Sequence, residues 1–446
     1  MSKSISKEFR AGGLLLFSMP SIIMMIFMSL YTIVDGFFVA RYVGTAALSA
    51  VNITYPLVSL FVAVGVMLAT GGSAITAKRM GEGHFHSANQ IFSLVSLVGF
   101  LFGAVGACFC LLFLDPILSL MGANSETMSL CQQYAAVLLP FMPMSILQML
   151  YQNFLVTASR PGLGLWFTIS AGISNMVLDY VFIAIFNMGI AGAAWATIIG
   201  YCVPAIGGTI FFFLNRTGLH FCRPTWDGRA LVQSCGNGSS EMVTNLSASI
   251  TTLLFNLIMM EWVGTEGVAA ITVIMYAQFL MTAFYLGYSI GVAPVFSFHY
   301  GAENRMYLRK LKQISLHFIL FSSIVIFLIS FFLSEAIAAA FSQKGTLAYD
   351  LICRGMALFS FSFLFSGINI FASGMFTALS DGKTSAFISF SRTFVFILLG
   401  IFLMTALFQL DGLWLAIPFA ELITLILSIF CIHKETSRGK MAISQR

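Results

Sequence analysis

Apolar stretches of about twenty residues recur twelve times along this chain, and each is long enough to cross a lipid bilayer as an α-helix. Only 9% of the residues are charged and 59% are hydrophobic, whereas soluble domains carry roughly 25% charged residues. The sequence therefore predicts an all-α polytopic membrane protein. The expected spans are residues 13–38, 51–77, 90–114, 132–156, 163–186, 190–213, 241–260, 268–295, 314–333, 352–379, 384–407 and 412–433.

The distribution of Lys and Arg predicts the orientation, because cytoplasmic connections carry the excess of basic residues. With the N terminus inside, Arg41, Lys344 and Arg354 fall outside and Arg392 falls within a span, which leaves 18 of the 22 basic residues inside. We therefore expect a multi-pass protein of the plasma (inner) membrane with both termini cytoplasmic. This bias accounts for the formal charge of +5, and no basic patch indicates a nucleic acid partner.

Glycine spacing indicates that the chain is a tandem duplication. Four pairs of glycines share one identical separation, namely Gly44 with Gly264, Gly81 with Gly301, Gly162 with Gly382, and Gly192 with Gly412. Each copy holds six spans, an even number, so both copies enter the membrane from the same side and form a parallel repeat. The expected division is an N-lobe at 1–214 with helices 1–6, a cytoplasmic linker loop at 215–238, and a C-lobe at 239–446 with helices 7–12 and a short tail. Two such bundles suit a transporter whose central cavity opens alternately to each face.

Several stretches resemble the multidrug and toxic compound extrusion (MATE) family. They are VDGFFVARYVG, AALSAVNITYP, SNMVLDYVFI and GIAGAAWAT in the first half, and VGTEGVAAITV in the second half. The resemblance covers the chain from about Phe17 to Ile432 in the same order. It implies a twelve-helix, V-shaped transporter that exports organic cations or drugs in exchange for H+ or Na+. The wider superfamily also contains flippases for lipid-linked precursors, and a flippase is the alternative function.

Four acidic residues lie within the expected spans: Asp35, Asp179, Glu241 and Glu421. Ionisable groups inside a bilayer are costly, and they usually face a cavity or a partner. Asp35 and Asp179 are expected at similar depth in the outer half of the bilayer. Two carboxyl groups in one desolvated pocket cannot both ionise cheaply, and they titrate as one coupled unit. Such a pair can hold a proton or a Na+ ion.

Two further polar residues are expected at about the same depth. Asn175 precedes Asp179 by four residues, so the two share a helix face, and Thr197 lies at a matching depth in helix six. Resemblance to the DinF-like branch of the family implies that Asp35, Asn175, Asp179 and Thr197 form the coupling site for H+ or Na+ in the N-lobe. No other cofactor is expected. The alternative is that these residues pack helices and are satisfied by their neighbours.

Substrate-binding residues are predicted from polar side chains within apolar spans. They are Gln148, Asn153, Glu241, Asn256, Tyr276, Gln278 and Asn369. Glu241 is expected near the start of helix seven, where either substrate contact or a first-turn interaction with the helix dipole would explain it. In other branches of the family an acid in helix seven helps bind a cation, but helix ten of this chain contains no acid, so the question of a C-lobe ion site stays open. Abundant Met and Phe suit the binding of apolar cations.

The remaining polar features favour structural roles. Arg392 and Glu421 lie near mid-depth in neighbouring helices and are predicted to form a buried structural ion pair. The eight cysteines are scattered and are expected to be small core residues. The sequence contains no phosphate-binding glycine loop and no His/Cys metal cluster, so it gives no sign of an enzyme.

The alternatives to an ion-coupled exporter fit the sequence less well. A flippase would more often show several Arg or Lys residues in its cavity, and a channel or receptor would not need a duplicated bundle with buried acids. The expected partners are organic-cation or amphipathic drug substrates and membrane lipids, and we expect a monomer.

Overall fold

The computed structural model describes residues 5–38, 42–43, 45–125 and 127–444. Arg41 and Gly44, which enter the predictions of orientation and repeat, lie outside the described residues. The described chain forms seventeen α-helices: α1 Ala11–Phe38, α2 Thr45–Gly81, α3 Phe85–Leu112, α4 Leu114–Leu120, α5 Met128–Leu138, α6 Met142–Thr157, α7 Pro161–Asp179, α8 Gly189–Leu214, α9 Gly228–Trp262, α10 Thr265–Gly301, α11 Arg305–Phe332, α12 Ser334–Phe341, α13 Leu347–Phe359, α14 Ser362–Ala378, α15 Gly382–Phe390, α16 Phe396–Phe408 and α17 Leu410–Ser444.

These helices make up twelve membrane spans. Eleven helical segments of the described chain are long and apolar enough to cross a bilayer, and α13 with α14 forms one further span that bends by 52°. Three spans contain irregular turns, which are a 3₁₀ turn at Leu139–Phe141 and π-helical segments at Tyr180–Ile185 and Ser391–Val395. The prediction of an all-α protein with twelve spans is therefore confirmed.

The helix starts show the duplication directly. The starts of α10, α11 and α12 follow the starts of α2, α3 and α4. In each case the number of residues between the two starts equals the separation of the paired glycines. The glycine pair Gly81 and Gly301 closes α2 and α10 at equivalent positions. A Cβ atom on Gly81 would overlap the carbonyl of Phe298, and a Cβ on Gly301 would overlap that of Lys78. These two repeat-related glycines therefore allow α2 and α10 to approach each other across the boundary between the lobes.

The start of the C-lobe differs from the prediction. Helix α9 begins at Gly228, whereas the sequence predicts a linker loop over 215–238 and a span from residue 241. The polar first turns of α9 carry no hydropathy signal, but Asp227 caps them by accepting a hydrogen bond from the Ala230 amide at 3.0 Å. The non-helical connection between the lobes is therefore shorter, at residues 215–227.

The lobes pack together at one face of the membrane. Helix α1 begins and helix α17 ends at this face, which we call the terminal face. Gly71 and Gly238 lie where α2 crosses α9, and a Cβ on either would overlap the backbone of the other helix. Gly291 of α10 packs in the same way on Ser18 of α1. Toward the opposite, far face, Leu253 of α9 and Tyr276 of α10 are exposed. The close approaches hold the lobes together at the terminal face.

The segment before α1 forms a strap that joins the two lobes at the terminal face. The Ile5 amide donates to the Ser159 hydroxyl oxygen of the N-lobe at 3.0 Å. The Phe9 amide donates to the Tyr307 hydroxyl of the C-lobe at 2.6 Å, and this hydroxyl donates to the Phe9 carbonyl at 3.2 Å. Ile5 and Phe9 are both buried. The strap is therefore held by apolar burial and by hydrogen bonds to both lobes.

We expect Tyr307→Phe to lower the thermal unfolding midpoint of the detergent-purified protein. The substitution leaves the buried Phe9 amide without its acceptor, which costs about 1–3 kcal/mol. Tyr300→Phe is the matched control, because Tyr300 is exposed and its ring, whose centroid lies 5.4 Å from the Lys78 ammonium, is retained. Equal midpoints for the two variants would show that the Tyr307 hydroxyl adds no stability.

Candidate functional site

Two carboxyl groups meet inside the N-lobe. Asp35 near the end of α1 and Asp179 at the end of α7 have side chains that interact directly with one another. Asp179 is fully buried and Asp35 is half-buried. Asp35 Oδ1 and both carboxyl oxygens of Asp179 are shielded from solvent and have no hydrogen-bond partner among the described residues. Three of the four carboxyl oxygens of the pair are therefore buried without a hydrogen bond from the described residues.

Asn175 lies on α7 with Asp179, and Thr197 lies on the adjacent helix α8. Asn175 is buried one turn before Asp179, and its Oδ1 also has no hydrogen-bond partner among the described residues. Gly200 of α8 packs against the Asn175 side chain, so a small residue lets α8 lie close to α7. Thr197, also on α8, is half-buried and donates its hydroxyl hydrogen to the Ala193 carbonyl at 3.0 Å. Asn175 thus lies one turn from Asp179 on α7, and Thr197 lies one turn before Gly200 on the neighbouring α8.

Tyrosine hydroxyls complete this region, although the sequence alone did not point to them. Tyr134 of α5 lies within electrostatic range of both Asp35 and Asp179, and its hydroxyl lies against the Thr197 side chain. Tyr31 lies within electrostatic range of Asp35 and contacts Gln148. Tyr31 precedes Asp35 by four residues and therefore shares its helix face, which is the signal that could have found it.

The π-helical segment Tyr180–Ile185 begins directly after Asp179. A π-helical turn is rare within α-helical spans, and it frequently occurs at functional sites. The second such segment, Ser391–Val395, contains Arg392 of the C-lobe. Both irregular segments therefore occur at titratable residues that the sequence singles out.

A buried polar network holds the middle of the C-lobe. Arg392 Nη2 and Nε both lie 2.8 Å from Glu421 Oε1, which makes an ion pair within the lobe. Asn369 donates its amide hydrogens to Glu421 Oε2 at 2.7 Å and to the Glu421 carbonyl at 2.8 Å. Ser428 donates to Asn369 Oδ1 at 2.9 Å. Both charged groups of this network therefore have a partner.

Two residues predicted as substrate contacts lie near the ion pair of this network. Asn369 is fully buried and donates its amide hydrogens to Glu421. The sequence places Glu241 in the first turn of its helix, but the helix begins several turns earlier at Gly228, so the dipole explanation is wrong. Glu241 is half-buried in the interior of α9 and lies within electrostatic range of Arg392.

The other predicted contacts are spread over both lobes. Gln148 is buried in α6, with its Oε1 unpaired among the described residues. Asn153 is half-buried and donates to the Met149 carbonyl at 3.2 Å. In the C-lobe, Asn256 and Gln278 are half-buried and Tyr276 is exposed. Through Tyr31, the structure connects Gln148 to the region of Asp35.

Two six-helix lobes that repeat one topology, with unpaired carboxyl groups inside one of them, define a membrane protein of the transporter class. The MatE family model matches residues 20–181 and again residues 241–403. The chain therefore belongs to the multidrug and toxic compound extrusion (MATE) family. The second match follows the first by nearly the separation of the paired glycines. The family model therefore finds the same duplication as the glycine spacing. Family membership makes the chain a transporter and not an enzyme.

Known proteins resemble the chain over nearly its whole length. The multidrug export protein MepA of Staphylococcus saprophyticus is 21% identical over 430 residues, which cover 94% of this chain and 93% of that protein. MepA of Staphylococcus aureus (strain NCTC 8325) is 21% identical over 426 residues, or 94% of this chain and 92% of that protein. An outward-facing multidrug resistance MATE family transporter of the MOP superfamily has a TM-score of 0.90 at 21% identity, over 97% of this chain and 98% of that one. The fold is therefore that of MATE transporters.

Proposed function

We propose that the chain exports amphipathic organic cations, drugs among them, in exchange for H+ or Na+. The observation that carries this proposal is the closeness of Asp35 and Asp179, two interacting carboxyl groups whose shielded oxygens have no basic partner among the described residues. Two negative charges in contact within an apolar lobe are unfavourable, so a small cation stabilises the pair. The relatives named as multidrug export proteins support drugs as the substrate class.

Exchange of drug for ion requires that the affinity for the ion differs between the two arrangements of the lobes. An ion can drive transport only if it binds one arrangement more tightly than the other. In the arrangement described here, close glycine contacts hold the lobes together at the terminal face. With both termini cytoplasmic, as the basic residues predict, this arrangement is closed to the cytoplasm. We propose that it releases substrate outward and takes up the coupling ion at the carboxyl pair.

The oxygens around the pair suit either coupling ion. A proton needs only the two carboxyl groups, whereas Na+ would use further oxygens from Asn175 and Thr197. The flippase alternative is less well supported, because the mid-depth Arg392 is already paired with Glu421 and is not free to bind a pyrophosphate.

An imposed-gradient experiment tests this function. The purified protein is reconstituted into vesicles, and efflux of a fluorescent cationic dye is measured under a proton gradient or under a sodium gradient. We expect one gradient to accelerate efflux above that of protein-free vesicles and its ionophore to abolish the acceleration. If dye efflux responds to neither gradient, the proposed antiport is wrong.

A further inference from the structure

A second polar site lies at the terminal face of the C-lobe, apart from the carboxyl pair. A cavity of about 990 Å³ opens there between the ends of α10, α11, α15 and α17, and the end of α2 forms its edge. Its walls carry more basic than acidic side chains. The basic ones are Lys78, Arg305, Arg309, Lys312, Lys383 and Lys434, and the acidic ones are Glu82, Glu303, Asp381 and Glu435. The cavity therefore favours an anion.

Helix α11 supplies the centre of this charge. Arg305, Arg309 and Lys312 follow one another at helical spacing, so they present one face of α11 to the cavity. Lys312 is paired with Glu435 at 2.9 Å. Arg309 differs, because its Nη2 is shielded from solvent and has no hydrogen-bond acceptor among the described residues. A shielded guanidinium nitrogen without an acceptor is costly, and a phosphate oxygen is the acceptor that suits it.

The same walls are apolar one turn deeper in the membrane. Lys383 is followed four residues later by Phe387 on α15, and Lys434 is preceded four residues earlier by Phe430 on α17. Both phenylalanines are largely exposed, Phe387 by 58% and Phe430 by 63%. On each helix the basic residue is nearer the terminal face and the aromatic residue is nearer the bilayer centre. This order matches an amphiphile with an anionic head and apolar tails.

We propose that this cavity binds the headgroup of an anionic phospholipid from the leaflet at the terminal face. Its phosphate accepts hydrogen bonds from Arg309 and is attracted by Lys383 and Lys434, while its acyl chains lie along Phe387 and Phe430. Basic pockets between membrane helices recognise such headgroups in general. A soluble phosphate would use the same cations but would leave the aromatic surface without a partner, so the apolar wall favours the lipid.

Native mass spectrometry of the purified full-length protein tests this site. The protein is titrated with phosphatidylglycerol, with phosphatidylcholine of the same acyl chains, or with glycerol 3-phosphate. We expect preferential retention of phosphatidylglycerol and little retention of the other two. We expect Arg309→Gln and Lys383→Gln each to weaken phosphatidylglycerol binding about fivefold, since each basic residue near the surface contributes about 1 kcal/mol.

Arg216→Gln is the control, because Arg216 is an exposed basic residue of the connection between the lobes and does not line the cavity. Lys383 is also exposed, so the Lys383 variant keeps the test valid if the Arg309 variant does not fold. Equal binding of phosphatidylglycerol and phosphatidylcholine would overturn the proposal. Equal losses of phosphatidylglycerol binding in the Arg216→Gln and Lys383→Gln variants would also overturn it. Tight binding of glycerol 3-phosphate would show that the cavity binds a soluble phosphate compound and would overturn the proposal of a lipid ligand.

Discussion

Asp35→Asn and Asp179→Asn should each reduce ion-driven dye efflux by about tenfold or more. Each substitution removes one carboxyl group from a pair that has no basic partner among the described residues, and so removes a charge that we propose binds the coupling ion. A loss of about 1.4 kcal/mol in the binding free energy of the ion lowers the occupancy of the site about tenfold when the ion concentration is below saturation. The measurement is initial efflux from proteoliposomes under the gradient that drives the unchanged protein.

The effect of these variants on coupling can be separated from an effect on folding. Asn has nearly the shape of Asp, so both variants should keep the elution profile and the thermal midpoint of the unchanged protein. Dye–dye exchange without an ion gradient should persist, because it requires movement of the lobes but no coupling ion. Asp350→Asn, an exposed acid in the first turn of α13, is the matched control and should transport normally. Gradient-dependent efflux that survives in both Asp35→Asn and Asp179→Asn would remove the coupling role.

Breaking the buried ion pair of the C-lobe should have the largest effect on stability. Arg392→Glu or Glu421→Arg leaves two like charges in the lobe, and removal of one partner from a buried pair typically costs about 3–5 kcal/mol. The double swap of Arg392→Glu with Glu421→Arg restores opposite charges and should recover part of this loss. Recovery is incomplete because the swapped arginine cannot accept the hydrogen bond that Asn369 donates to Glu421.

The measurements are the yield of monodisperse protein and its thermal midpoint in detergent. Arg354→Glu is the control, because Arg354 forms an ion pair with Asp411 but is 69% exposed. Exposed pairs contribute about 0–1 kcal/mol, so this variant should behave nearly like the unchanged protein. A double swap no better than either single variant would mean that the two charges do not stabilise the lobe through their contact.

The spans and the repeat could be predicted because each follows from a local signal. An apolar run of about twenty residues identifies a helix without any tertiary information, and glycine spacing identifies the duplication. Helix ends are less predictable. The first turns of α9 from Gly228 onward and of α11 from Arg305 onward are polar, so hydropathy places both starts too late. Capping by Asp227 and Asn304 extends these helices beyond their apolar segments.

Depth was predictable within the candidate site, but the direction in which side chains point was not. Helix spacing gives Asp35 and Asp179 similar depths, and the structure places the two carboxyl groups close enough to interact. The same reasoning selects Asn369, which points instead at Glu421. Tyr134 was missed because a tyrosine in an apolar span gives no signal of its own. Only the packing of α5 against α8 brings its hydroxyl to Thr197.

The strap also sets the order in which the molecule can be completed. Ile5 is synthesised 154 residues before Ser159, which holds it, and Phe9 is synthesised 298 residues before Tyr307. The strap must therefore wait for part of the second lobe before it can dock fully.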